Sequence, residues 1–198
     1  MTAKFWEAED QLSGKEAGKL PGALVASVFA TTRNSAEATV PFTPFHLGPG
    51  TLFKAVGGEH FSFVIFGGSQ VLMDIEPLVR MIRGDAILHG ISHTIAGAFV
   101  VAMVSTALGR PVSNAALRSS GVSNHPISWL VALVSALIGT YSHIGLDAVM
   151  HADMNPLWPI AYGNDLLGVV SVETLHVFCL ASGLLGGGLV GLRALRRA

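Results

Sequence analysis

Charge is scarce in this chain of 198 residues: Asp, Glu, Lys and Arg together make up 13% of it, about half of the roughly 25% usual in soluble domains. The formal net charge is −1, which excludes the broad basic surface that nucleic acid requires, so no nucleic-acid partner is expected. A single cysteine, Cys179, lies in an apolar run. One thiol excludes a disulfide framework and leaves Cys179 as a small buried hydrophobe. The glycine run LLGGGLVG at 184–191 lacks the Lys-Ser/Thr that would follow in a phosphate loop, and suits close helix packing instead. No internal repeat or low-complexity tract stands out.

What fills the chain is apolar. Mean hydropathy is +0.55, which with so little charge points to a membrane protein of one domain. Residues 1–19 are polar and mixed in charge, and the short apolar stretch LPGALVASVFA at 20–30 has a signal-peptide flavour that the acidic Glu7, Glu9, Asp10 and Glu16 contradict. Apolar patterning then predicts helices over 46–57, 61–80, 91–108, 127–150 and 166–192, with 109–126 and 151–165 as loops. Pro77 falls inside the second as a kink or a stop. The last four approach the roughly 20 apolar residues that span a bilayer, and the first is too short. The expected fold is all-α: a membrane helical bundle of about four transmembrane helices plus a short N-terminal helix.

Eight histidines are many for a chain with so little charge, and their placement carries the functional argument. His46 starts the first helix, Asp74 and Glu76 lie near the end of the second, His89 and His93 flank the start of the third, and His143 and Asp147 lie near the end of the fourth. Successive helices joined by short loops run antiparallel, so all of these groups share one end of the bundle. His89 and His93 are four apart, as are His143 and Asp147, a spacing that puts both members of a pair on one helix face. Asp74 follows Gln70 by four, which would let the amide orient the carboxylate. Imidazole with carboxylate is the donor set of zinc, manganese and iron sites. The predicted metal ligands are His46, Asp74, His89, His93, His143 and Asp147, enough for one or two ions. Glu76 or Asp147 is the candidate general base.

Simpler readings stand beside this one. A lone His or Asp at a membrane helix end is ordinarily an interfacial polar group, and Asp74 with Glu76 could form a solvated turn. Glu173 and His176, deeper in the fifth helix, read as a hydrogen-bonded pair or as further ligands. His151 and Asp153 sit at the rim of the cluster, and His60 and His125 fall at the opposite end.

The order PFTPFHLGPG, SQVLMDIEP, LHGISHTIAG and YSHIGLDAVMHADMNPLWP, over about residues 41–160, resembles the membrane-bound metal-dependent hydrolases, the YdjM-like proteins associated with the inner membrane. The family pattern implies an early His (His46), an acidic pair (Asp74 with Glu76 in place of a second Asp), His-x-x-x-His (His89, His93), and His-x-x-x-Asp (His143, Asp147) ahead of the Pro156–Pro159 segment. The His-x-x-x-Asp element in a helical setting is also similar to the sites of zinc phospholipase C and P1 nuclease. The resemblance implies a multi-pass inner-membrane hydrolase that uses a divalent metal, most simply Zn2+, on a phosphoester or lipid-like substrate within membrane lipid. The alternative is a non-catalytic metal-binding membrane protein or a transporter, although a transporter would set its polar groups near the bilayer midplane.

Two further expectations follow. Lys54, Arg110, Arg118, Arg193, Arg196 and Arg197 gather at the end opposite the cluster, which the positive-inside rule assigns to the cytoplasm with the C-terminus, leaving the cluster on the outer face. Relatives, as the resemblance implies, begin near Met-Pro-Phe-Thr-Pro-Phe-His, and Val40 stands where that Met would. Residues 1–39 are therefore expected to be an extension dispensable for folding, and 40–198 the membrane-embedded hydrolase-like domain.

Overall fold

The computed structural model describes residues 44–121 and 126–196. The expectations for residues 1–39, Val40, His125 and Arg197 lie outside the described residues. Every regular element among the described residues is helical. Five helices follow one another: α1 (Leu47–Gly57), α2 (Phe63–Arg83), α3 (Ile95–Ser119), α4 (Trp129–Met150) and α5 (Val172–Leu195). Helices α3, α4 and α5 are long and apolar enough to cross a membrane. Val100, Leu130, Val177 and Leu184 on them are exposed, as lipid-facing side chains are.

Four spans were expected. At 21 residues, α2 is about 31 Å long by its rise per residue, but Asp74, Glu76, Arg80 and Arg83 occupy its second half, and a bilayer core charges heavily for each. The helix also runs on through Pro77 to Arg83. Ser62 caps its start, and Gly84, at φ +74°, closes it by donating to the Arg80 and Met81 carbonyls. The region 109–126, expected as a loop, is helical to Ser119. A π turn at Ser105–Gly109 carries the chain from α3's first segment into Arg110–Ser119. Pro111 is tolerated there because it stands in the first turn of the restarted helix. The Asn114 side chain then brackets Ile127, accepting from its N–H at 2.7 Å and donating to its carbonyl at 3.2 Å. The fifth helix begins at Val172 and not near 166, since Ser171 caps it and turns occupy the residues before.

Packing fixes which end is which. Helix α1 lies along α5, and α4 packs on both α2 and α3. Small residues permit the α1–α5 approach: a Cβ at Gly48 would collide with the Cys179 carbonyl, and one at Gly186 with the backbone of Thr51 and Leu52. Thr51 Oγ1 donates across the same seam to the Ser182 carbonyl at 3.0 Å. Gly50 likewise serves helix packing, against the Phe66 ring. With α1 seated this way, its leading residue His46 meets the C-terminal half of α4.

Candidate metal centre

The polar residues of one bundle end converge inside it. His46, Asp74, His89, His93, His143 and Asp147 are all buried, none more than 8% exposed. Asp74, His93, His143 and Asp147 offer one ligand atom each, all within 4.8 Å of one another, and His89, Asp147 and His151 form a second such group. Asp147 belongs to both.

Its two oxygens face different partners. On one side, Oδ2 lies 3.0 Å from His143 Nε2 and 3.4 Å from His93 Nε2. On the other, Oδ1 lies 3.4 Å from His46 Nε2 and 4.0 Å from His151 Nε2. Asp74 Oδ1 closes the inner group at 3.2 Å from His143 Nε2. The His143–Asp147 pair owes its shared direction to the four-residue spacing on α4. His89 and His93 do not share a helix face, because His93 ends a 3-10 turn (Ile91–His93) and His89 precedes it in irregular chain. Their rings nonetheless meet edge to face, with centroids 4.8 Å apart.

The outer nitrogens of these rings are set by identifiable partners. His143 Nδ1 lies 2.9 Å from Gln70 Oε1. An amide oxygen only accepts, so Nδ1 carries a proton, and the neutral ring has its lone pair on Nε2. Gln70 was expected to orient Asp74; it holds His143, while its own amide donates to the His46 carbonyl at 3.4 Å. His93 Nδ1 lies 2.9 Å from Ser92 Oγ, whose hydroxyl donates to Glu76 Oε2. The serine can then only accept from His93, so in the neutral ring the lone pair is again on Nε2. His89 Nδ1 meets Asp153 Oδ1 at 2.8 Å, and Asp153 Oδ2 accepts from the N–H groups of Leu88 and His89. Burial alone would raise the Asp153 carboxyl, but these bonds outweigh it and hold it well below the usual carboxylate range.

A metal fits this arrangement. His46 Nδ1 and Nε2, His93 Nε2 and His143 Nε2 are buried with no hydrogen-bond partner among the described residues, a costly condition for a polar atom unless a ligand satisfies it. Burial pushes the His46 imidazole down to about 4, with Asp147 offsetting part of the shift, and it lowers His151 as well. Both rings are therefore neutral near pH 7, the form that coordinates a metal. The donor set of imidazoles and carboxylates suits Zn2+, Mn2+ or Fe2+ alike.

Other predicted residues lie elsewhere. Glu76, a candidate base, has Oε1 on Arg80 at 2.8–2.9 Å and Oε2 on Ser92, so it reaches the centre only through Ser92 and His93. Glu173 is exposed in the first turn of α5, and His176 stacks on Phe45, so neither joins the cluster. Their expected depth followed from starting that helix too early. His60 is exposed at the far end of α1. Sequence reasoning overlooked Ser92, and it placed His151 and Asp153 only at the rim. The one available signal was the tight His-x-Asp of 151–153 beside an already suspected His143–Asp147 pair. Compared with family models, curated proteins and solved structures, the chain matches none.

Proposed function

We propose that this protein is a membrane-bound, metal-dependent hydrolase of the YdjM-like kind, resident in the inner membrane and acting on a phosphoester or lipid-like substrate. One observation carries the reading: buried imidazole nitrogens that lack partners, aimed at two buried carboxylates, at the end of a bundle with three helices long and apolar enough to cross a membrane. Asp74, His93, His143 and Asp147 would hold a divalent ion, Zn2+ being the simplest choice. Such an ion, when bound, supplies Lewis acidity and brings the pKa of a bound water toward ~7, so that no free carboxylate base is required. That suits this chain, since Glu76 is engaged by Arg80 and Ser92 and Asp147 lies among imidazoles. Gln70 and the Glu76–Ser92 link orient the ligating rings.

The supporting feature for a lipid-borne substrate is the α4–α5 connection. Leu157, Trp158, Ile160, Tyr162, Leu166 and Val169 are exposed there, and 151–171 contains no Lys or Arg. The loop is tied to the bundle end by Ile95 N–H donating to the Pro156 carbonyl at 2.8 Å and by the Asn164 amide donating to the Ala148 carbonyl at 2.7 Å. Trp and Tyr on such a surface favour the bilayer interface. The deep burial of the inner four residues also favours a second reading, a closed non-catalytic metal site.

Elemental analysis of the detergent-purified protein, wild type and His93→Ala, tests the first half of the proposal. The expected result is bound metal that the variant loses. Hydrolysis of bis(p-nitrophenyl) phosphate, abolished by chelator and restored by Zn2+, tests the second. Metal-loaded protein that hydrolyses neither this ester nor phospholipid vesicles would leave the non-catalytic reading in its place.

A further inference from the structure

We propose that a groove between α2 and α3 binds one ethanolamine phospholipid, with the lipid phosphate on Arg80 and Arg83, its ammonium on Asp85 and an acyl chain along the groove floor. The inference rests on α3, α4 and α5 lying in a membrane and not on hydrolysis. The groove has a volume of about 590 Å³, within the roughly 300–1,000 Å³ of small-molecule sites. Its lining shares no residue with the His/Asp centre, so its occupant is a resident lipid and not the substrate.

The floor is aliphatic. Leu72, Ile75 and Val79 come from α2, and Val100 and Val104 from α3. All but Leu72 are exposed. The charged members of the lining gather toward the end of α2. From Leu72 to Arg83 the helix advances about 16 Å, so the groove passes from apolar side chains to guanidinium groups along its length. A phospholipid presents its groups in that order from tail to phosphate. With such a lipid in place, the charged half of α2 lies at headgroup depth and escapes the cost of charge in a bilayer core.

The charges select the headgroup. Two guanidinium and two carboxylate groups line the groove, and they are not equally free. Glu76 commits Oε1 to Arg80 and Oε2 to Ser92. A Cβ at Gly90 would collide with both Glu76 Oε1 and Arg80 Nη2, so glycine there lets that pair seat against the chain. Arg80 meets Glu76 through Nε and Nη2, and its Nη1 reaches only the Ile87 carbonyl, at 3.5 Å. N–H groups on this fixed guanidinium therefore remain for a phosphate. Arg83 is looser, 68% exposed in its side chain, with Nε 3.7 Å from Asp85 Oδ2, too far for a hydrogen bond. The turn at Gly84 sets Asp85 beside it, the Asp85 N–H donating to the Arg80 carbonyl at 3.0 Å. Arg80 and Arg83, three apart, are neighbours on the helix surface and suit the oxygens of one phosphate. Asp85 suits a cation that can donate hydrogen bonds. Phosphate joined to a primary ammonium supplies both charges, and its zero net charge matches that of the four side chains. A glycerol headgroup offers Asp85 no cation, and choline has no N–H to donate.

Native mass spectrometry of the full-length protein in detergent, with dioleoyl phosphatidylethanolamine, phosphatidylglycerol or phosphatidylcholine added, tests the assignment. The expected result is one ethanolamine lipid per chain, held about tenfold or more tightly than the other two, the worth of a charge-assisted hydrogen bond. Arg83→Gln should weaken it by a similar factor. Val100→Trp, which fills the groove floor, should remove it. Asp85→Asn should reverse the preference to phosphatidylglycerol, a gain that a misfolded protein could not show. Equal retention of the three lipids by the wild type, or tighter binding of phosphatidylglycerol, would overturn the proposal. So would an ethanolamine preference that survives both Arg83→Gln and Asp85→Asn, because the lipid would then sit elsewhere.

Discussion

Gln70 and Ser92 perform the same task on neighbouring imidazoles by different chemistry. Each presents an oxygen that can only accept from Nδ1, and so each fixes Nε2 as the donor atom. The amide does this unaided. The hydroxyl does it because its O–H already donates to Glu76. Removing the acceptor should therefore matter more than changing its charge. Gln70→Leu is expected to weaken Zn2+ binding by roughly 10–100-fold, the usual effect of losing an outer partner of a ligating histidine, while Gln70→Glu keeps an acceptor oxygen and most of the affinity. Ser92→Ala should cost a similar factor. If Glu76 acts only through that hydroxyl, Ser92→Ala/Glu76→Gln should bind no more weakly than Ser92→Ala alone. Competition against a chromophoric chelator reads all four variants, and wild-type affinity in Gln70→Leu would count against the orienting role. The ligand-type residues themselves were visible in the sequence as His and Asp at helix ends. Their pairing was not. Gln70 stands four residues before Asp74 yet bonds His143, across 73 positions of chain, because only the packed bundle decides which neighbour an amide meets.

Among the helices, α1 is the one whose placement the centre depends on most directly, because His46 is carried on its leading end. At 11 residues it is too short to cross a bilayer or to be stable alone, so α5 determines where it sits. A methyl group at Gly48 meets the Cys179 carbonyl and one at Gly186 meets the backbone of α1, with no flexible side chain to yield. Gly48→Ala and Gly186→Ala are each expected to cost about 1–3 kcal/mol through overpacking and to lower metal affinity by moving His46. Gly187→Ala, with nothing within 4 Å, should do neither. Thermal unfolding in detergent with zinc titration checks this, and a Gly48→Ala protein of unchanged stability and affinity would refute it. The existence of the helices was legible from apolar runs, but their ends were less so. Gly109 and Pro111 read as a break, whereas the π turn and the Asn114–Ile127 bonds carry α3 onward to Ser119. The hydrogen bonds that stabilise that extension come from residues far along the chain, and no local pattern announces them.

At the scale of the whole bundle, alternation of helix direction was enough to bring His46, Asp74, His93, His143 and Asp147 to one end, since short connections leave little other choice. The same alternation sends basic residues to the other. Lys54 closes α1 by donating to the Gly58 and Phe61 carbonyls. Arg110 lies over the Trp129 ring at 4.3 Å, and Arg193 donates to the Ala55 carbonyl. Arg118 and Arg196 end α3 and α5 on that side. Against these, the cluster end carries Arg80 and Arg83, both close to a carboxylate, and its longest connection carries no Lys or Arg. Lysine and arginine in short connections stay on the cytoplasmic side of a bilayer. The C-terminus is therefore expected in the cytoplasm, with the His/Asp centre and the apolar 151–171 loop at the outer leaflet. A C-terminal green fluorescent protein fusion should fluoresce, and a C-terminal alkaline phosphatase fusion should be inactive. A cysteine introduced at Ile160, which is 93% exposed, should react with a membrane-impermeant maleimide in intact cells, while Cys179, buried against α1, should not. Phosphatase activity at the C-terminus together with a protected Ile160→Cys would invert the orientation and place the substrate in the inner leaflet.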